Sequence, residues 1–423
     1  MADIYPYLKQ LKNKHILGIN PPVFDFAYFD LWAKPLGLLY ILQWLRDEGK
    51  SVELIDCIFE ARERSKDFGR YKIRRRRTEK PLVYSDIPRK YWHFGLDKEE
   101  FLSRLENVKK PDVILLTSTM TYWYGGVLWC IEQIRKVFPH VPVILGGIYV
   151  RLCPEHAELS GADHLQTEFM PVEAKRPATD LYASPGYAIV ETSWGCPMGC
   201  DYCASKLLCP EFIQRSPQEV IEEIRSQVDG TDITDIAIYD DALLINKDDH
   251  FYPICEKIQK EFGHLRFHTP NGLHVRQIDE KCAKCLYDTG FKTIRLSLES
   301  VDPEVQKESS SKVSREQYRS GVEHLLKAGY GQNDLETYVL VGLPGQNIQG
   351  IRDTISFVKD LGARVKIAQF SPIPGTSLYY EALKKVPELS NEPLLQNNTV
   401  YSTWISRELT PEELQELKDM ARS

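Results

Sequence analysis

A chain of 423 residues is long enough for two domains, and 43% hydrophobic with 27% charged residues is the composition of an ordinary soluble globular protein. The formal charge of −7 argues against general nucleic-acid binding, and no apolar run approaches the length of a bilayer span. The amino terminus lacks a secretory pattern, so the expected location is the cytoplasm, where ten cysteines stay reduced and are too sparse for a disulfide scaffold.

In chain order, Ile16-Leu-Gly-Ile-Asn-Pro-Pro22 reads as a short apolar strand stopped by a proline pair. An amphipathic helix follows from Pro35 to about Gly49, then a second strand over Ser51–Asp56. A charged insertion is expected from about 62 to 110. The pattern resumes with a strand at Val113–Ser118, a helix from about Gly126 to Phe138 and a strand from Val143 to Gly146 and Gly147, and Gly161–His164 closes the unit. Strand, helix, strand in this order predicts a parallel sheet, hence a Rossmann-like α/β domain over residues 1–175. The run Arg74–Arg77, with Lys80, Arg89 and Lys90 beyond it, reads as a solvated face, an anionic partner being the other reading. Met120–Gly126 places Tyr122, Trp123 and Tyr124 at the top of the third strand, to stack on a planar ring or simply to pack. Cys153 and His156, just past Gly147, are further candidates, with a structural histidine the plainer reading.

A second strand-like approach begins at Tyr187 and turns at Trp194-Gly195 into Cys196-Pro-Met-Gly-Cys200-Asp-Tyr-Cys203. Three thiolates on one loop hold three irons of a [4Fe–4S] cube and leave the fourth iron open, whereas a structural zinc or closed cluster needs four protein ligands. Cys209 is the candidate fourth ligand for the zinc alternative. Strands follow at Ile233–Tyr239, Leu265–Thr269, Thr293–Leu298, Leu335–Val341 and Arg364–Phe370, each running into polar, Gly or Pro residues. This predicts a partial (β/α)6 barrel over residues 180–386, with those strand ends and the cysteine loop on one rim. Asn271, His268 and His274 are rim candidates for substrate contact, and Tyr338 and Gln369 are placed to point inward. A helical tail, 387–423, is expected to pack over the barrel, with Thr410 and Glu413 as a capping box.

The three-cysteine loop after the first barrel strand, with Tyr202 before its last cysteine, resembles the signature of the radical S-adenosylmethionine superfamily. The resemblance implies that Cys196, Cys200 and Cys203 ligate the cluster, that S-adenosylmethionine chelates the open iron, and that one electron cleaves it to methionine and a 5′-deoxyadenosyl radical. It places Asp240 and Asp241 at the methionine amino group, Ser297 and Glu299 at the ribose or methionine end, and Gly342 and Gly345 at adenine. The first half resembles the cobalamin-binding domain of one subclass through Asn20-Pro21-Pro22, Lys34-Pro35-Leu36-Gly37-Leu38, Asp56, Pro111-Asp112 and Gly146-Gly147. That implies a cobalamin crevice lined by Asn20, Leu36, Gly37, Ser118, Thr119, Tyr122, Gly146 and Gly147, without the usual axial-histidine motif; a domain that has lost its cofactor is the alternative.

The function these resemblances imply is cobalamin-dependent carbon methylation of an unidentified small molecule or peptide, with an electron donor such as flavodoxin or ferredoxin. Cyclisation, rearrangement or carbon–carbon coupling without methyl transfer is the alternative, and a non-catalytic iron–sulfur or zinc protein a remoter one. Cys282 and Cys285 fall on the inward face of an amphipathic helix and read as core residues. Cys57, Cys130 and Cys255 show no pattern.

Overall fold

The structure, a computed structural model, describes residues 8–9, 14–170, 172–301 and 313–423. They fall into two compact units: residues up to 186 with 388–397, and 187–387 with 398–423.

The first unit is built on five parallel strands, β1 (His15–Asn20), β2 (Ser51–Asp56), β3 (Val113–Leu116), β4 (Val143–Leu145) and β5 (His164–Leu165), in the order β5-β4-β3-β1-β2. β1, β3 and β4 are buried along their whole length, as expected of parallel strands covered on both faces. Helix Leu36–Asp47 packs so closely over β1 that a Cβ on Gly18 would lie 2.7 Å from a Leu42 methyl carbon. The chain leaves β1 toward one neighbour and returns through β3 on the other side, so the topological switch point lies at the carboxyl ends of β1 and β3.

The charged stretch expected as an insertion is largely ordered structure. Arg62–Ser65 pairs with Tyr71–Ile73, and Val23–Asp25, Tyr91–Phe94 and Arg75–Thr78 form a three-stranded antiparallel sheet. Lys98–Asn107 is the helix that leads back into β3, started by the Asp97/Glu100 capping box and buried only through Phe101 and Leu105. Two apolar anchors among charges give little periodicity to read.

The second unit carries β6 (Ala188–Val190), β7 (Asp235–Ile238), β8 (Arg266–His268), β9 (Phe291–Glu299), β10 (Leu335–Val341) and β11 (Arg364–Gln369). Each is parallel to the next, so the strands lie side by side in chain order. A helix follows every one, and Ser216, Asp279, Ser314, Asn347 and Thr376 cap five of them with their side chains. Parallel neighbours in chain order put all carboxyl ends on one rim.

The tail divides differently from the expectation. Residues 398–423 pack on the second unit, with Arg352 bridging to Glu416 at 2.9 Å, but 388–397 belong to the first. There Thr121 donates its hydroxyl to Gln396 Oε1 at 2.5 Å, Tyr124 donates to Glu392 at 3.0 Å, and Asn397 Nδ2 donates to the buried Asp25 at 3.0 Å. Buried polar contacts across such sequence distances have no local signature. Asn397→Ala withdraws a donor from a buried carboxylate and should cost about 1 to 3 kcal/mol in denaturant unfolding, while the exposed Asn391→Ala stays within about 0.5 kcal/mol. Equal effects would contradict this docking.

Candidate active site

The thiol loop is pinned at its base, because Ser193–Trp194 pairs antiparallel with Ile213–Gln214 on its far side. Gly195 enters it at φ 76°, where a Cβ would sit 2.5 Å from the Glu211 carbonyl, so only glycine makes this entry. Within the loop the Cys203 N–H donates to the Cys200 carbonyl at 3.1 Å, and the Leu378 N–H donates to the Asp201 carbonyl at 3.0 Å. Cys196 and Cys200 are half-buried and Cys203 is exposed. Burial raises the Cys196 thiol and pushes Cys200 up to about 11, the neighbouring thiols adding to both shifts. Without a metal these groups hold their protons, so cluster ligation must release them.

Two carboxylates expected to act alike do different things. Asp240 is buried and accepts from the Thr192 N–H at 2.8 Å, the Thr192 hydroxyl at 2.6 Å and the Ser193 hydroxyl at 2.6 Å. Its oxygens are committed to the approach strand, so it is corrected from a ligand contact to an anchor. Asp241 accepts from Ser205 Oγ at 2.6 Å and from Asn271 Nδ2 at 3.1 Å, and Ser205 Oγ lies 3.1 Å from Cys203 Sγ. Asp241 is thus one hydroxyl away from a thiol.

Tyr202 donates its hydroxyl to Glu299, which ends β9 at φ 69°. Arg295, on the same strand, pairs with Glu336 at 3.3 Å. Ser297 is half-buried opposite Tyr338 in the β9–β10 register, and Tyr338 donates to the Pro270 carbonyl at 3.0 Å. Gly342 is corrected: a Cβ there would lie 2.3 Å from Ser402 Cβ, so its missing side chain admits the tail, whereas the exposed Gly345 has nothing within 4 Å. His268 is corrected too, being fully buried between Asp235 at 3.0 Å and Thr293 at 3.1 Å. Asn271 serves Asp241, and Gln369 buries an Oε1 with no partner at the end of β11.

Sequence reasoning did not single out Glu191. Arg276 Nη2 lies 3.1 Å from Met198 Sδ inside the thiol loop. Glu191 accepts from Trp194 Nε1 at 3.0 Å; burial foremost, then Asp240 and Asp241, push its carboxyl up to about 8. Its position five residues before a cysteine carried no motif.

In the first unit a cavity of about 60 Å³ sits at the switch point, lined among others by Asn20, Ser118, Thr119, Tyr28, Lys34 and Trp123. Five other residues expected at the crevice do not line this cavity. Leu36 is buried in its helix, Gly37 is exposed, and Tyr122 is buried edge-on to Trp123. Gly146 and Gly147 instead hold the Ser118 loop: Ser118 Oγ donates to the Gly146 carbonyl at 2.7 Å, and a Cβ on Gly147 would meet the Ser118 carbonyl at 2.1 Å. Asn20 donates to Asp56 at 2.9 Å, and Tyr182 donates to the same carboxylate at 2.7 Å. Lys34, missed as a site residue, is buried with its ammonium on the Pro185 carbonyl at 2.7 Å, and burial drives its pKa well down. His156 bonds Tyr149 at 2.6 Å and packs on Tyr124, and Cys153 is buried by Gln396, so both are structural. No group of three or more His, Cys, Asp or Glu among the described residues is arranged for a single metal ion.

Glu191 supplies a pH test. Its folded-state pKa lies above the ordinary value of 4.5, so its contribution to stability is full below that value and is lost as pH rises through about 8. The melting temperature of the wild type should fall relative to Glu191→Gln between about pH 5 and pH 8.5. Parallel curves would contradict the assignment.

Residues 190–358 match the radical SAM superfamily domain. An uncharacterized methyltransferase of Pyrococcus horikoshii is 28% identical over 408 aligned residues, covering 82% of this chain and 78% of the relative. The fold is similar to that of the radical S-adenosylmethionine methyltransferase TsrM of Kitasatospora setae, solved with cobalamin and a [4Fe–4S] cluster, at TM-score 0.65 and 15% identity, covering 89% of this chain and 79% of that one. It is also similar to the cobalamin-dependent S-adenosylmethionine radical enzyme OxsB, at TM-score 0.59 and 14% identity, covering 92% and 57%. With its three-cysteine loop at the carboxyl end of β6, the chain is an enzyme that over residues 190–358 is similar to the radical SAM superfamily.

Proposed function

We propose that the enzyme is a cobalamin-dependent radical S-adenosylmethionine C-methyltransferase. The observation that carries the reading is the chain Asp241–Ser205–Cys203, which sets an acceptor for an ammonium group beside the thiol loop at the strand-end rim. A [4Fe–4S] cluster bound by Cys196, Cys200 and Cys203 would supply the single electron that cleaves S-adenosylmethionine. Three thiols on one short loop, with no fourth ligand needed, suit that group.

The chain's own residues do the positioning. Asp241 accepts from the methionine ammonium, with Asn271 and Ser205 holding its carboxylate in place. Tyr202 bonded to Glu299 ties the loop to the end of β9 and sets where the ligand's ribose or methionine end lies. Gly345 leaves backbone open for adenine, and Gln369 offers an inward amide to substrate. In the first unit, Asn20, Ser118 and Thr119 give a crevice floor of small polar groups, and its lining contains no imidazole. That suits a cobalamin without an axial histidine. The Pyrococcus relative's name and the TsrM fold support methyl transfer as the outcome. A small protein electron donor of the flavodoxin or ferredoxin class completes the system.

Asp241→Asn should weaken S-adenosylmethionine binding by about 1.5 to 3 kcal/mol with cluster iron unchanged, the size of a charge-assisted hydrogen bond. Asp240→Asn should instead lower thermal stability and cluster retention together. Protein reconstituted anaerobically with hydroxocobalamin should retain cobalamin through desalting and should transfer label from methyl-labelled S-adenosylmethionine to a product in cell extract. Unchanged affinity in the Asp241 variant removes the site assignment. Loss of all cobalamin on desalting removes methyl transfer and leaves radical cyclisation or rearrangement.

A further inference from the structure

Away from the cysteine loop, thiols meet in pairs at two places among the described residues. In the first unit Cys57 is hydrogen-bonded to Cys130, and both are fully buried. In the second unit Cys255 is hydrogen-bonded to Cys285; Cys255 is buried, but Cys285 is half-exposed. The two pairs differ in access.

Neighbouring contacts fix the second pair independently. Helix Phe251–Glu261 follows β7 and helix Glu280–Thr289 follows β8, so the two run side by side in the same direction. Lys281 Nζ lies 3.9 Å from the centre of the Tyr252 ring, and Gln259 Nε2 donates to Thr289 Oγ1 at 2.8 Å. Tyr252, Cys255 and Gln259 on one helix, and Lys281, Cys285 and Thr289 on the other, follow each other at three- or four-residue steps, which keeps each set on one helix face. Cys255 and Cys285 are therefore the middle rung of a ladder whose outer rungs are made by other side chains.

The surroundings give the two sulfurs different duties. The hydrogen bond from Cys255, with help from the Thr289 hydroxyl and the Lys281 ammonium, holds the Cys285 thiol below the usual thiol range against burial and the Asp288 carboxylate. Burial keeps Cys255 protonated. Cys282, on the same helix as Cys285, is fully buried, and burial pushes it up to about 12, so it too stays a thiol. A reachable, acidic thiol beside a buried protonated one is the arrangement of an attacking and a resolving cysteine.

We propose that Cys285 and Cys255 form a reversible disulfide site oxidised by peroxide. The Cys285 thiolate attacks hydrogen peroxide, the O–O bond breaks, an S–OH bond forms and hydroxide leaves. The Cys255 sulfur then displaces the hydroxyl from Cys285, and its proton leaves with that hydroxyl as water. Two thiols lose two electrons and two protons in all, and one peroxide becomes two waters. None of the cluster thiols takes part, so the proposal does not rest on the methyltransferase reading.

Peptide mapping by mass spectrometry of the full, cluster-loaded chain, with free thiols trapped before and after a limiting dose of hydrogen peroxide, tests it. A Cys255–Cys285 linked peptide should appear and vanish again on dithiothreitol treatment, while Cys57 and Cys130 stay unlinked. In the folded, reduced protein iodoacetamide should modify Cys285 at least about tenfold faster than Cys255 or Cys282. Cys255→Ser should leave Cys285 as a sulfenic acid that dimedone captures, and Cys285→Ser should leave Cys255 unoxidised. The wild-type map decides the matter even if a variant misfolds. Absence of the Cys255–Cys285 peptide, linkage of Cys57 to Cys130 at the same dose, or a Cys282–Cys285 link in its place would each overturn the proposal.

Discussion

Asp240 ties together two segments 48 residues apart, the end of β7 and the strand that delivers the chain to Cys196. A carboxylate taken out of water costs several kcal/mol unless its lone pairs are used, and three donors from Thr192 and Ser193 use them here. Burial still raises its pKa above the ordinary range, a sign of how dry the knot is. The rest of the site follows from this tether. Gly195 can make its tight turn because the strand before it is held, and the thiol loop then closes on itself through Cys200 and Cys203. Asp241, the next residue, carries its carboxylate to Ser205 and Asn271 and so stands beside the thiols.

Adjacent identical residues with opposite duties explain what the sequence could and could not show. Asp240-Asp241 at a strand end marks the rim, but which carboxylate is buried depends on donors 48 residues back. Gly342 and Gly345 are likewise alike in sequence, yet one makes room for Ser402 and the other is open. The strands of the second unit, by contrast, were legible to within about two residues, because short β-branched and apolar runs ending at polar, Gly or Pro residues leave one parallel arrangement. The cysteine loop was legible for another reason: its chemistry needs residues close in sequence. Glu191 owes its interest to burial alone, which neither neighbours nor spacing announce.

The first unit repeats this pattern with different chemistry. Asp56 is buried and held by Asn20 and Tyr182, and Gly147 is placed where any side chain would strike the Ser118 carbonyl. The residues that resembled cofactor contacts therefore divide into a lining of Asn20, Ser118 and Thr119 and a scaffold of Gly146, Gly147 and Leu36 that shapes it. The charged stretch that looked like a bare insertion carries a small antiparallel sheet, beside which Arg74 and Arg76 pair with Glu100 and Asp97 and Arg75 stacks on Trp92.

The central claim is that Cys196, Cys200 and Cys203 hold a cluster with one open iron, next to an ammonium acceptor at Asp241. Electron–nuclear double resonance of the reduced, reconstituted protein, with S-adenosylmethionine isotopically labelled at its amino nitrogen, tests this most directly. The account predicts hyperfine coupling from the labelled nitrogen to the cluster. A reduced-cluster spectrum that S-adenosylmethionine leaves unchanged, with no nitrogen coupling, would contradict it.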